Sequence, residues 1–134
     1  MPAKILIVED EMLIAMEIES VVEDQGHISV GIATTAREAI KIAETEKPDL
    51  ALVDLHLADG VTGHEVGRQL AEAGVAVIFA TANSRLLGTG VPGALGVLDK
   101  PIGDREIVGV LDFALAYRGG APVAPPPALR LFES

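Results

Sequence analysis

Hydrophobic positions along the chain follow two different patterns. Five short apolar runs predict β-strands, at residues 4–8, 27–33, 50–53, 75–80 and 93–98. Runs this continuous are typical of strands in a parallel sheet that is covered on both faces. Between the runs, apolar residues recur every three to four positions, which predicts amphipathic helices. Helices are predicted over about 11–24, 64–73 and 104–117. A further helix is predicted between the second and third strands, starting after its cap Thr35 and ending before Pro48.

The regular alternation of strand and helix predicts an α/β fold with a parallel sheet and helices on both faces. One interval departs from the alternation. Between the fourth and fifth strands the chain reads "NSRLLGTGVPG", where three glycines and a proline leave room for two helical turns at best. The fourth crossover is therefore predicted to be short and irregular.

Polar residues follow four of the five predicted strands at the point where each strand ends. Glu9 and Asp10 follow the first strand, Asp54 the third, Thr81 the fourth and Lys100 the fifth. Ligands of such sheets bind beyond the carboxyl ends of the strands, so we expect these side chains to lie together. Crowded carboxylates repel one another unless a cation lies among them, and Mg²⁺ prefers oxygen ligands. Carboxylates with a lysine and a hydroxyl suit phosphoryl transfer, with Asp54 as the nucleophile.

Each of these residues also has an ordinary structural interpretation when it is taken alone. Asp54 is a common type of turn residue after a strand, and Asp10 could cap the first helix. Lys100 could be a solvated charge and Thr81 a strand-end hydroxyl. Their coincidence at four strand ends, each with the residue that the chemistry needs, favours the functional interpretation.

The composition of the chain excludes several classes of protein function. The chain has 134 residues, 49% of them hydrophobic, which suits one globular domain. Its net charge of −10 argues against direct DNA binding, which needs basic surfaces. There is no cysteine for disulfides, no signal-peptide pattern, and no apolar stretch near the roughly 20 residues that span a bilayer. We therefore expect a cytoplasmic protein without membrane association.

Four motifs, "ILIVEDE", "LALVDLHLADGVTG", "VIFATAN" and "GVLDKPI", resemble in order and spacing the receiver domain of two-component response regulators. The resemblance covers residues 4–118. It implies a flavodoxin-like, doubly wound, five-stranded parallel sheet of order 2-1-3-4-5. After Arg118 the chain is Gly/Pro-rich and too short to fold alone, so we expect a stand-alone receiver domain in residues 1–118 and a tail in 119–134 without an output domain. "FAT" at 79–81 is similar to a stand-alone subgroup in α-proteobacterial stress signalling, although "AN" follows where that subgroup has a glycine and an aromatic residue.

The resemblance implies a role for each carboxylate. Asp54 matches the phospho-acceptor. Glu9 and Asp10 match the acidic pair that binds Mg²⁺ together with Asp54, and the backbone carbonyl of His56 matches a further ligand. Mn²⁺ could replace Mg²⁺ at such a site.

The resemblance also implies a switch. Thr81 matches the hydroxyl that swings toward the phosphoryl group, and Lys100 matches the lysine that pairs with it. The Lys100–Pro101 bond matches a peptide bond that is usually cis in the family. Val97 stands where the family commonly has an aromatic residue, so a rotating aromatic ring at that position is excluded.

The function that the resemblance implies is signalling rather than turnover of a substrate. The domain would take a phosphoryl group from a histidine kinase or a histidine phosphotransfer protein, catalysing only its own phosphorylation and dephosphorylation, and would signal through protein contacts. One alternative is a phosphatase of the haloacid-dehalogenase type, but such enzymes carry a second aspartate where this chain has His56. Another is a flavin-binding module, but Glu9, Asp10 and Glu11 stand where its phosphate-binding loop should be.

The last predicted helix is apolar nearly all round, which indicates burial on more than one side. In receivers this face signals or dimerises, so Val97, Val108, Val110 and Phe113 are predicted to form a signalling face. A homodimer would then use the short fourth crossover, which stands where the family has its fourth helix, together with the fifth strand and the last helix. The tail offers two alternatives: a disordered segment, or one whose final "ALRLF" folds back over that helix.

Overall fold

The structure, a computed structural model, describes residues 2–132. Strands and helices alternate along most of the chain, as the sequence predicts. The elements in chain order are β1 Lys4–Val8, α1 Met12–Asp24, β2 Ile28–Ala33, α2 Ala36–Glu46, β3 Leu50–Val53, β4 His56–Leu57, β5 Gly60–Val61, α3 Gly63–Glu72, β6 Ala76–Thr81, a 3₁₀ helix Ser84–Leu87, β7 Gly96–Asp99, α4 Asp104–Arg118 and β8 Leu129–Leu131.

The main sheet has the order β2-β1-β3-β6-β7-β8. Its first five strands pair in parallel. They correspond to the five predicted strands, so the predicted order 2-1-3-4-5 is confirmed. Strands β4 and β5 form a separate antiparallel hairpin between β3 and α3. The register aligns Val8 with Val53, Val53 with Phe79, and Phe79 with Val97. The strands therefore end together at one edge.

The sheet separates two apolar cores. Alternate strand residues point to opposite faces, and Ile5 and Ile7 join one core with α1 and α4. Leu6 and Val8 join the other core with residues of α2 and α3. All four of these side chains are fully buried, which explains why the strand reads as a continuous apolar run. Within residues 2–132, no helix has the length and apolar character needed to cross a membrane.

The fourth crossover and the C-terminal segment give the sheet an unusual edge. The crossover contains only the 3₁₀ helix 84–87, in agreement with its glycine-rich sequence. At the β7 end of the sheet, β8 pairs antiparallel with β7. The tail therefore folds back, and the disordered alternative is wrong for residues 129–131.

The residues predicted to form the signalling face are mostly buried in the structure, so that prediction is corrected. Val97, Val110 and Phe113 are buried, and Val108 is partly buried. The reason is that β8 covers the β7 edge, and Leu129 of β8 enters the same core as Val110 and Phe113. Three of the four residues are thus core residues in this fold, and they form no exposed contact surface.

Candidate functional site

Three carboxylates meet at the carboxyl edge of the sheet. One oxygen from each of Glu9, Asp10 and Asp54 lies within 4.8 Å of the others. The backbone fixes two of them, because the Glu9 amide donates to the Ala33 carbonyl at 2.9 Å and the Asp54 amide donates to the Val8 carbonyl at 2.9 Å. Glu9 and Asp54 are buried, with 2% and 7% of their surface exposed, whereas Asp10 is exposed. The cluster therefore has a buried floor and one side open to solvent.

Lys100 reaches this cluster from the end of β7. Its ammonium donates to Asp54 Oδ2 at 2.8 Å and also to Glu9 Oε1. Its amide donates to the Thr81 carbonyl at 2.9 Å, and its peptide bond to Pro101 is cis. If all four groups are ionised, one positive charge faces three negative charges.

Three further polar atoms of the site have hydrogen-bond partners one or two residues away. Asp54 Oδ1 accepts from the Leu55 amide at 2.7 Å, and Glu9 Oε2 accepts from the Glu11 amide at 3.1 Å. Thr81 is fully buried, and its hydroxyl accepts from the Asn83 amide at 3.1 Å. That bond leaves the hydroxyl proton able to donate toward the edge of the sheet.

Burial and charge shift the protonation of the site. Burial raises the pKa of Glu9, more than the hydrogen bonds from Lys100 and the Glu11 amide lower it. For Lys100, burial acts to lower the pKa, but the hydrogen bonds and charges of Asp54 and Glu9 together outweigh it and raise the pKa. Lys100 therefore stays protonated near neutral pH.

The donor set fits a hard divalent cation. Three carboxylates with one lysine leave an excess of negative charge, and all three side chains offer oxygen atoms, which Mg²⁺ and Mn²⁺ prefer. Glu9, Asp10 and Asp54 are thus the residues that could hold such an ion. His56 lies on the hairpin strand that follows Asp54, with its side chain exposed; the role of its backbone carbonyl as a ligand stays a prediction.

Gly63 supports the site in a way that sequence reasoning missed. It begins α3, and a Cβ atom built there would lie 1.8 Å from the carbonyl oxygen of Asp54. Its amide donates to the Leu55 carbonyl at 3.0 Å. The start of α3 thus rests directly on the backbone that carries Asp54. The only signal in the sequence is the glycine that ends "ADGVTG", and spacing alone could not show the contact.

Comparison with known proteins identifies the family. The model of the response regulator receiver domain matches residues 5–112, and the chain belongs to that family. The chain is 40% identical to the phyllosphere-induced regulator PhyR of Methylorubrum extorquens, over 90% of this chain and 46% of that protein. It is 30% identical to protein Rrf1 of Nitratidesulfovibrio vulgaris, over 93% of this chain and 92% of that protein.

Solved structures give the same result. The response regulator PhyR of Brucella abortus matches with a TM-score of 0.80 and 36% identity, over 90% of this chain and 50% of that one. The PhyR REC domain of Erythrobacter litoralis matches with a TM-score of 0.80 and 34% identity, over 92% and 96%. The predicted resemblance to receiver domains is confirmed. The chain spans about half the length of the PhyR proteins of M. extorquens and B. abortus.

Proposed function

We propose that this receiver domain accepts a phosphoryl group on Asp54 in a Mg²⁺-dependent reaction and signals through protein contacts. The observation that carries the proposal is the position of the Asp54 carboxylate, which lies 2.8 Å from the Lys100 ammonium and within 4.8 Å of oxygens of Glu9 and Asp10. This arrangement places a nucleophile beside a fixed positive charge and a set of cation ligands, as phosphoryl transfer requires.

In the proposed reaction, an oxygen of the Asp54 carboxylate attacks the phosphorus atom of the donor. An O–P bond forms to give an acyl phosphate, and the bond from phosphorus to the donor breaks with its electron pair leaving on the donor. A magnesium ion held by Glu9, Asp10 and Asp54 would neutralise charge on the phosphoryl oxygens. The family's donors are histidine kinases and histidine phosphotransfer proteins, and one of these is the proposed source.

Two further residues would respond to the new phosphoryl group. Lys100 already donates to Asp54, and it would pair with a phosphoryl oxygen after transfer. Thr81 ends β6, the strand beside β3, and its hydroxyl would donate its proton to another phosphoryl oxygen. Phosphorylation adds nearly two negative charges at pH 7. These contacts would shift the domain between two pre-existing states.

The pathway is proposed from the relatives. One solved structure with 34% identity is described as the PhyR stress response regulator, and another as the anti-anti-sigma factor PhyR of Bartonella quintana. The "FAT" sequence at 79–81 is in accord with such a role. We therefore assign the domain to a stress-signalling pathway of the PhyR type, in which it acts through a protein partner.

The assignment is tested by incubation with acetyl phosphate and Mg²⁺, followed by intact-mass measurement. The wild-type chain should gain about 80 Da, the mass of one phosphoryl group. Asp54→Asn should gain none, and chelation of the metal should abolish the gain in the wild type. The proposal is wrong if Asp54→Asn is labelled to the wild-type level.

Asp59→Asn is a matched control for that experiment. Asp59 lies five residues further along, where its carboxylate accepts from the Ala36 amide at 3.1 Å and from the Thr62 hydroxyl at 2.7 Å. Since it touches neither Lys100 nor the carboxylate cluster, its replacement should leave the mass gain unchanged. A loss of labelling in this variant would mean that the reacting carboxylate is not in the proposed cluster.

A further inference from the structure

The C-terminal strand β8 pairs with β7, the last of the parallel strands, and forms the edge of the sheet. It aligns Leu129 with Leu98, Arg130 with Val97 and Leu131 with Gly96. Beyond the strand, the Phe132 amide donates to the Leu95 carbonyl at 2.9 Å. Leu129 is buried in the core shared with α1 and α4, and Phe132 packs against the core on the other face. One short segment thus contacts both cores.

Two glycines make room for this segment. A Cβ atom on Gly96 would lie 2.4 Å from the Arg130 carbonyl oxygen, and one on Gly90 would lie 2.5 Å from Cγ of the Phe132 ring. Real Cβ atoms do not approach other atoms so closely, so any other residue at either position would push the segment away. The β7 edge therefore has a shape that fits residues 129–132.

Phe132 connects this segment to the part of the chain that carries Thr81. Its ring centroid lies 6.1 Å from that of Phe79, and Phe79 is two residues before Thr81 on the same face of β6. Gly90, under the Phe132 ring, belongs to the segment that follows Thr81. Phe132 thus packs near one residue before Thr81 in the sequence, Phe79, and one after it, Gly90.

The segment after Thr81 has little structure of its own to hold it. Between β6 and β7 it forms a single four-residue 3₁₀ helix, and Gly88, Gly90 and Gly93 have positive φ. Glycines in such conformations lose much freedom on folding, so they need contacts from elsewhere to stay ordered. The Phe132 ring on Gly90 and the bond from its amide to Leu95 supply such contacts.

We propose that β8, through Phe132, is a positioning element for the Thr81 hydroxyl in phosphoryl transfer to Asp54. The inference rests on the proposed function. When β8 is docked, residues 82–95 are held and the bond from the Asn83 amide to the Thr81 hydroxyl is kept. When β8 leaves, that segment loosens and the hydroxyl is no longer aimed at the phosphoryl oxygen. Phe132 is a positioning residue, because it acts through Gly90 and Phe79 and does not touch Asp54.

Gly96→Ala tests this without altering the site. The three atoms nearest to the added Cβ all belong to Arg130 and Leu131, and Gly96 lies in β7 without a positive φ. Alanine should therefore expel β8 and leave β7 unstrained. We expect faster hydrogen exchange at the Phe132 amide and across residues 83–95. The phosphorylation rate constant at saturating acetyl phosphate should fall about tenfold, within the roughly hundredfold that a misplacement of about 1 Å can cost.

The Mg²⁺ concentration for half-maximal phosphorylation distinguishes a misplaced Thr81 hydroxyl from a general loosening of the whole site. It should stay the same in Gly96→Ala, because Glu9 and Asp10 follow β1, Asp54 follows β3, and both β6 and β7 lie between β3 and β8. Phe132→Ala should reproduce the rate defect, and Phe132→Tyr should restore the wild-type rate by keeping the ring. Leu131→Ala is the matched control, since Leu131 is in the same strand but 41% exposed, and it should change neither exchange nor rate.

Two results would overturn the inference. One is a Gly96→Ala or Phe132→Ala protein whose residues 83–95 exchange faster while the rate constant stays at the wild-type value; β8 would then be structural only. The other is a Gly96→Ala protein in which β8 stays docked. Failure of the proposed function is seen separately, as a wild-type protein that takes up no phosphoryl group.

Discussion

Lys100→Met tests how strongly the lysine holds the buried carboxylates together. Methionine keeps an unbranched stem of similar length but removes the charge. In the absence of a divalent cation, the variant leaves Glu9 and Asp54 buried without their positive partner. We expect a large loss of stability, and we expect Mg²⁺ to restore more stability to the variant than it adds to the wild type, because the cation then meets a more negative site.

The magnitude follows from the geometry. The Lys100 ammonium and Asp54 Oδ2 are 2.8 Å apart, with side chains only 12% and 9% exposed. At an effective dielectric constant of about 20, Coulomb's law gives about 6 kcal/mol for such a pair. The cost of desolvating the ions offsets part of this, and removal of one partner of a buried pair costs about 3–5 kcal/mol. Protonation of Glu9 relieves some of the loss, so we expect about 3 kcal/mol.

Urea unfolding at pH 7 with a chelator present measures this loss. With a slope of about 2 kcal/mol per molar urea, the midpoint should fall by about 1.5 M. Arg118→Met is the control, because Arg118 pairs with Asp49 at the same 2.8 Å but with both side chains about 40% exposed. An exposed pair of this kind contributes at most about 1 kcal/mol. Equal losses in both variants, or equal stabilisation of Lys100→Met and wild type by Mg²⁺, would show that Lys100 does not hold the buried carboxylates together.

Three further changes have definite expected outcomes. Gly63→Ala should lower the free energy of unfolding by about 2–3 kcal/mol, because its Cβ would overlap the Asp54 carbonyl oxygen; thermal unfolding measures this. Asp54→Asn should raise the urea midpoint in chelator, since it removes one of three crowded carboxylates while Lys100 keeps its ion pair with Glu9. Hydrogen bonds from the Lys4 amide, and then from Arg118, lower the pKa of Asp49 below 3.8. The stability that the ionised Asp49 gives the fold is therefore lost as pH falls through that lowered pKa. Asp49→Asn should flatten the acid dependence of the free energy of unfolding below pH 3.8.

The fold and the carboxylate cluster were predictable because their signals are local. Strand positions buried on both faces must be apolar, and residues 5–8 of β1 and all four residues of β3 meet that condition in sequence and in structure. The site follows from the same property, because parallel strands in register end together. Asp54 and Lys100 are 46 residues apart in sequence, yet the strand ends bring them into contact.

The features that sequence reasoning missed depend on contacts between distant segments. The hairpin at 56–61 is too short to show a periodicity. Val110 and Phe113 are buried partly because Leu129 reaches their core, and nothing in the helix itself indicates which segment covers it. The tail reads as a Gly/Pro-rich linker until its last residues, whose docking depends on the absent side chain of Gly96. Close approaches of this kind leave no pattern in the sequence.

Locating the phosphoryl group on the chain tests the central claim most directly. Borohydride reduction of the phosphorylated protein converts an acyl-phosphorylated aspartate to homoserine, and peptide mass spectrometry then finds its position. We expect homoserine at position 54 and nowhere else, only when Mg²⁺ was present during phosphorylation. Homoserine at Asp10 or at any other aspartate, with position 54 unmodified, would contradict the claim.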